Sequence, residues 1–364
     1  MPVSIIGNSG IQFPDGSLQT AAASPFVLRN RIINGDMRID QRNAGASVTP
    51  ANGAYTLDRW GVNQFANASK FSVQQNAGSV TPPAGFTNYL GVTSLSAYSI
   101  GVGDIYALFQ RIEGFNVADL GWGTANAQTV TLSFWVRSSL TGTFGGAFQN
   151  EAGDRAYPFT YTISAANTWE KETITVAGDT TGTWLKTNGS GLQITFGLGV
   201  GSNRSATAGS WQAGNFGSAT GATSVVGTNG ATWYLTGVQL EQNTSATPFE
   251  RRLYNQELAN CQRYFAAISP ADLCGYSINT TQGIFAVYLP VPFRSTPTGI
   301  TVTPANFSVV NGSNSLTTPS AITFDDAKTT MIGIVAVTTG LAAGQGCRII
   351  SATGALIQIN GGEL

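Results

Sequence analysis

Histidine is absent from all 364 residues of this chain. That absence removes Ser-His-Asp and Cys-His nucleophilic systems, imidazole acid–base catalysis and every histidine metal site. Cysteine is scarce: Cys261, Cys274 and Cys347 are widely spaced, odd in number and without a C-x-x-C pattern. They make neither a zinc site nor a disulfide framework, and read as reduced thiols. Charge is scarce too. Charged residues are 10% of the chain, and 18 Lys+Arg nearly balance 19 Asp+Glu. No polybasic or acidic block occurs, so electrostatic capture of nucleic acid or anionic membrane is not indicated. The longest apolar run, Met331 to Val337, falls far short of the ~20 residues that span a bilayer. The opening MPVSIIGNSG has no basic n-region and no long apolar core. No signal peptide is expected, and synthesis and assembly in a cytosol follow.

What is present is aromatic and small. Seven Trp, 11 Tyr and 19 Phe accompany 44 Gly, and 42% of residues are hydrophobic. Such a chain has ample surface to bury, and its length allows two or three domains. Val130, Leu132, Phe134 and Val136 alternate with polar or outward positions, as in a half-buried strand. Leu192, Ile194, Phe196, Leu198 and Val200 repeat the pattern, and Ile174 and Val176 end another strand. Turn-rich segments at 142–146, 178–182 and 188–191 separate them. Many short alternating strands with Gly-rich turns argue an antiparallel sandwich over residues 27–247. Residues 202–230, rich in Gly, Ser, Ala and Thr, read as a long surface loop. No fixed-period repeat occurs, which disfavours a β-helix.

Two further regions flank this body. In residues 1–26, Ile11 and Phe13 precede a Pro14-Asp15-Gly16 turn, and Leu18 follows it. Strands this short cannot fold alone, so they pack on the sandwich or wrap around copies from other chains. Residues 266–364 read as a second β domain, with strands near 284–289, 300–303, 307–310, 322–324, 331–337, 347–350 and 355–359. Apart from Arg294, Lys328 and Arg348 it lacks cations, so a core or interface shared with copies of itself is expected.

Between the domains lies TWYLTGVQLEQNTSATPFERRLYNQELANCQRYF, residues 232–265. Trp233 and Leu235 share a strand face with which Val238 and Leu240 are out of phase, so a β-bulge is expected at Thr236-Gly237. Thr247, Pro248 and Glu250 form a capping-box pattern that predicts a helix over 248–265. Tyr254, Leu258, Cys261 and Phe265 would be its packed face. GVQLE followed by PFERRLYNQELANCQRYF resembles the module that closes the carbohydrate-binding-like sandwich of many bacteriophage tail-fibre proteins. GIQFPDGSLQTAAA at 10–23 resembles the opening of such fibres, and NRIINGDMRIDQR at 30–42 their first sandwich strand. The resemblance covers the start and end of the region up to Phe265, and does not reach into 266–364. It favours shared wrapping of residues 1–26. In such sandwiches the turn matching Asn34-Gly35-Asp36 can help hold a structural calcium, but Met37 and Arg38 follow here and put that site in doubt.

Chemistry is sparse. Glu151 with Asp154, Glu170 with Glu172, and Asp325 with Asp326 are nearby carboxylates of the kind glycoside hydrolysis requires in pairs. Any β protein offers such pairs, and Glu170 and Glu172 read as a solvated strand edge. GLGVGSN at 197–203 lacks the Lys and the helix of a phosphate-binding loop. Sugar binding suits the composition better, because aromatic faces stack on pyranoses while amides and charged groups bond the hydroxyls. Trp122, Trp184 and Trp211 lie in loop-like sequence and are ligand candidates, whereas Trp60, Trp135 and Trp233 belong to strands. In the distal domain, Asp272, Tyr276, Asn279, Arg294, Asn311 and Asp325 fall on segments 272–279, 293–298, 311–315 and 325–328, which read as loops.

The expected fold is all-β: a short N-terminal trimerisation and attachment module (1–26), a jelly-roll-like antiparallel sandwich (27–247), a connecting helix (248–265) and a distal β domain (266–364). The resemblance implies a virion tail-fibre protein, homotrimeric and joined at its N-terminus to a tail or baseplate protein. Its distal head would recognise a host surface glycan or outer-membrane protein. No cofactor, catalysis, nucleic acid or membrane insertion is expected. The alternatives are a polysaccharide depolymerase and a purely structural fibre segment.

Overall fold

A computed structural model describes residues 29–65, 68–270 and 272–364. Within the first 28 residues it describes three two-residue strands, Ser4–Ile5, Ile11–Gln12 and Leu18–Gln19, paired antiparallel. The rest of the expected attachment module lies outside the described residues.

The period-two alternation builds two packed antiparallel sheets. One runs in the order Gln212–Ala213, Arg155–Ile163, Gly142–Gln149, Ser190–Val200, Ile105–Glu113, Gly61–Phe65. The other runs Glu170–Val176, Val130–Ser138, Thr232–Glu241, Leu90–Ser94, Phe71–Gln75. Their inner faces meet around Phe196, whose ring lies 5.1 Å from Phe134, 5.8 Å from Trp233 and 6.3 Å from Trp60. Trp60 and Trp233 are fully buried and Trp135 is half-buried. Truncating the buried Trp60, Phe134, Phe196 or Trp233 ring would cost about 3–5 kcal/mol.

The expected bulge is present. The register between Thr232–Glu241 and Val130–Ser138 shifts between Thr236 and Gln239, and Gly237 takes φ +62°. A left-handed residue there lets Trp233, Leu235, Val238 and Leu240 all enter one core. Two expectations fail nearby. Residues 142–146 are strand rather than turn, because glycine is needed for close packing: a Cβ on Gly145 would meet Ser218 Oγ at 2.4 Å. That contact comes from residues 202–230, which fold across the outer face of the six-stranded sheet and bury Ser218, Ala219, Val225 and Val226. Residues 30–42 form no ladder strand. Arg31 N–H donates to Leu240 O at 2.8 Å, and the chain then turns through left-handed Asn34 and Met37.

Among the described residues the α-helix is Tyr254–Gln262, shorter than the 248–265 expected. The capping box does not form because its polar groups serve tertiary contacts. Thr247 N–H and Oγ1 both bond the buried Glu241 carboxylate at 2.8 Å. Glu250 accepts from Arg29 N and Asn30 N. The buried helix positions are Glu257 and Cys261, while Tyr254 is 55% exposed and Leu258 half-buried.

The distal chain has its own apolar core, including Phe285, Val287, Phe307, Ile332, Ile334, Ile349 and Ile357. Its main sheet runs Leu316–Thr317, Phe307–Val310, Gly346–Ser351, Asp272–Ser277, Gln282–Tyr288, Met331–Val337, Ala321–Lys328. A smaller sheet runs Ala266–Ile268, Ile357–Asn360, Gly299–Val302. Segments 272–279 and 325–328 therefore lie mainly in strands rather than loops.

The two cores meet through an ionic and aromatic junction. Glu363 pairs with Arg42 at 2.7 Å and with the buried Arg59. Those guanidiniums sit over the rings of Phe265, at 3.7 Å, and Tyr264, at 3.6 Å. Glu113 accepts from Arg263 at 2.7 and 3.0 Å and from Tyr264 Oη at 2.8 Å. Burial alone would raise the Glu113 pKa, but these donors outweigh it and hold the carboxyl below its ordinary range.

Candidate functional site: a polar cleft on the outer sheet face

In strand Ser190–Val200 the even positions Leu192, Ile194 and Phe196 enter the core, so Gln193 and Thr195 point out of the other face. Arg111 and Gln149 come to the same face from neighbouring strands, and side-chain hydrogen bonds join them. Arg111 Nε donates to Gln193 Oε1 at 2.8 Å, and Gln193 Nε2 to Gln149 Oε1 at 3.0 Å. Thr195 Oγ1 also donates to Gln149 Oε1 at 2.8 Å, and Gln149 Nε2 reaches Asn215 Oδ1 at 2.8 Å. At the other end Arg111 Nη1 donates to Leu364 O at 2.6 Å. The chain of groups thus runs from the distal segment, across three strands, to residues 202–230.

These side chains floor a cleft of about 200 Å³. Phe65, 50% exposed, and Asn63 line it from the edge strand; Glu151 and Arg204 also line it. A fixed amide–guanidinium floor beside a partly exposed ring can take a hydroxyl-rich ligand, with ring stacking and several donors and acceptors. Glu151 is the one carboxylate among the lining residues. Asp154, its expected partner, accepts from Asn150 Nδ2 at 2.6 Å.

The tryptophans singled out from sequence lie elsewhere. Trp122, Trp184 and Trp211 come together as an edge-to-face triad with centroids 4.8, 5.2 and 5.3 Å apart. Their indole N–H groups donate to the carbonyls of Gln128, Thr181 and Ala177. Trp122 and Trp184 are 4% and 7% exposed, so they anchor loops and present no stacking face, while Trp211 is half-buried against Tyr157.

The distal candidates divide. Arg294 is part of the junction, donating to the carbonyls of Gly362, Glu363 and Asn188. Asn279 closes a turn by bonding Gln282 at 2.7 Å and Thr281. Asp325 is exposed on the far edge strand, three strands from Asp272. Asp272, Tyr276 and Asn311 do lie on one side of the main sheet. Of the other acids, Glu170 caps a turn through Ser164 N and Ala165 N, and Asp326 packs over Gly333.

The Asn34 turn does not fit a calcium ion. Asn34 Nδ2 donates to Ile39 O and Asp58 O, its Oδ1 accepts from Ile39 N, and Asp36 pairs with Arg38 at 2.5 Å. Calcium needs six or more oxygens, and those present are already bonded. Among the described residues no group of three His, Cys, Asp or Glu could share a metal.

The cleft residues Asn63, Phe65, Arg111, Gln149 and Gln193 were not singled out from the sequence. The signal was the polar half of the alternation whose apolar half identified the core.

Fold and cleft together define an all-β protein built on a jelly-roll-like sandwich with a distal β domain. No family model matches the chain, and no curated protein matches it. Among solved structures it is similar to the enzymatically active domain of bacteriophage CBA120 tailspike protein 4 (13% identity, TM-score 0.30), covering 54% of this chain and 21% of that one. The chain thus spans about a fifth of that tailspike structure. It is similar to a putative sugar binding protein from Bacteroides thetaiotaomicron (11% identity, TM-score 0.36), covering 59% of this chain and 100% of that one. It is also similar to a family 11 carbohydrate-binding module from Clostridium thermocellum in complex with a mixed-linked tetrasaccharide. There the identity is 11% and the TM-score 0.27, covering 54% of this chain and 96% of that one.

Proposed function

We propose that this protein is a non-catalytic, glycan-binding component of a bacteriophage tail fibre that attaches the virion to a polysaccharide on the host surface. The observation that carries the reading is the bonded floor Arg111–Gln193–Gln149–Asn215 beneath an exposed Phe65. Hydrogen-bonded amides are held in place before ligand arrives, which reduces the ordering cost of binding. A single lining carboxylate supports binding rather than hydrolysis, since glycoside cleavage takes two. The fibre assignment rests on the sequence motifs at 10–23, 30–42 and 232–265. With it go a homotrimer and attachment through the N-terminal residues.

Full-length protein added before phage should block adsorption. Phe65→Ala and Gln193→Ala should each weaken that block about tenfold or more, as loss of a stacking face or of a half-buried amide contact does. Polysaccharide length should be unchanged after incubation. Equal blocking by both variants would remove the cleft from the reading, and a scattering mass of one chain, 38.0 kDa, would remove the trimer.

A further inference from the structure

We infer that the distal domain carries a second carbohydrate site, a shallow dish on the outer face of its main sheet that takes an uncharged pyranose. The dish has a volume of about 420 Å³ and lies among Cys274, Asn311, Asn314, Gly346 and Arg348. It is separate from the sandwich cleft and does not depend on it.

Strand alternation places Asp272, Cys274 and Tyr276 on the face turned away from the distal core, and all three are exposed. Tyr276 pairs directly with Gly346, and Cys274 with Arg348. Direct partners project to the same face, so the Tyr276 ring stands beside bare backbone. A Cβ on Gly346 would meet nothing within 4 Å. The ring, 53% accessible, is not part of the dish lining but borders it across Gly346, where it can stack on a sugar that reaches over that edge.

Polar groups line the dish itself: Arg348, Asn311 and Asn314. Arg348 Nη1 lies 3.2 Å from Asp272 Oδ2, with both side chains 48% exposed. The pair offers donors and an acceptor side by side, as two adjacent hydroxyls require. The far wall is a turn that Asn311 fixes by accepting from Ser313 N and Ser315 N and donating to Gly340 O. Asn314 extends from that turn, exposed and left-handed at φ +58°. Arg348 and Asp272 balance in charge. An acidic sugar gains the Arg348 guanidinium only by displacing its Asp272 partner, whereas a neutral sugar can bond to the pair as it stands.

Cys274 supplies a local reporter, being the exposed cysteine while Cys261 and Cys347 are buried. The experiment measures iodoacetamide alkylation of Cys274 in the full-length protein. It is run with the methyl glycosides of glucose, galactose, mannose and N-acetylglucosamine, and with methyl glucuronoside. At about ten times its dissociation constant, at least one neutral glycoside should slow alkylation about tenfold. Tyr276→Ala and Arg348→Gln should abolish that protection and Phe65→Ala should leave it intact. No protection by any neutral glycoside, protection that survives Tyr276→Ala, or stronger protection by the glucuronoside would overturn the proposal. So would a Cys274 that fails to react in the native protein, because the dish would then be covered. Loss of adsorption blocking in Phe65→Ala alone would bear on the sandwich cleft and not on this dish.

Discussion

Asp58 shows how much one side chain's surroundings decide. It is fully buried, and burial pushes its pKa from 3.8 to about 7 despite accepting from Gln41 N at 2.7 Å and Gln41 Nε2 at 2.6 Å. Arg42 lowers the value and Glu363 raises it, but both act less than burial. The folded protein therefore holds this proton more tightly than the unfolded chain does. Unfolding between about pH 4 and pH 7 releases it, so this residue's contribution to stability falls as pH rises through that window. Asp58→Asn should flatten the fall, gaining a few kcal/mol at pH 8 relative to its effect at pH 5. Chemical denaturation at both pH values measures it, and parallel pH profiles would contradict it. Nothing in the local sequence, TLDRW, marks Asp58 as buried. The same limit explains Trp122 and Trp184. Gly- and Thr-rich neighbours make both look exposed, yet each indole packs on the other two of the triad. Tyr276 was read as a loop residue but lies exposed in a strand, and the turn role of Asn311 follows from local amide chemistry.

At the scale of elements, periodicity was a good guide to strands and a poor one to the helix. Strands Phe307–Val310 and Met331–Val337 have the bounds expected from their apolar runs, and the bulge at Gly237 was legible as a phase slip between two apolar pairs. The helix boundary was not, because Thr247 and Glu250 bond groups more than a turn away in the chain, or at its other end. Its packed face was read half correctly: Cys261 and Phe265 are buried, whereas Tyr254 is exposed and Leu258 half-buried. Spacing did not show that Glu257, a carboxylate, enters the protein beside Cys261. Its carboxylate accepts from Asn34 N and from Arg252 Nη1, the latter at 3.0 Å with both side chains nearly buried. Glu257→Ala would remove this ion pair and leave Asn34 N–H without its acceptor, while Arg252 keeps its bonds to Ile32 O and Asn30 O, and should cost about 2–4 kcal/mol. Leu258→Ala, half-buried, should cost about 1 kcal/mol. Urea unfolding of the two variants decides between the faces. If Leu258→Ala proved the more damaging, the apolar reading of the helix would be restored.

For the whole molecule, the consequential contact is one that sequence could not show. Glu363 lies more than 300 positions from Arg59, yet the two are paired where the sandwich meets the distal domain. Arg59 is 1% exposed, closed in by the Tyr264 ring on one face, and its Nη2 also donates to Arg111 O at 2.6 Å. A buried guanidinium gains little net stability from its partner but loses much without it, because an unpaired charge in a low-dielectric site is costly. Glu363→Ala should therefore destabilise the junction by about 3–5 kcal/mol while leaving both apolar cores intact. Calorimetry should then resolve two transitions, one for each core, where the parent protein unfolds in one or in two closer ones. Adding Arg59→Met removes the stranded charge and keeps a side chain of similar length against Tyr264. The double variant should regain most of the loss, so the two substitutions should be far from additive. Additive losses would show that Arg59 acts through its packing on Tyr264 and its bond to Arg111 O. An unchanged transition in Glu363→Ala would show that Arg294 and Glu113 hold the domains together without the Glu363 bridge.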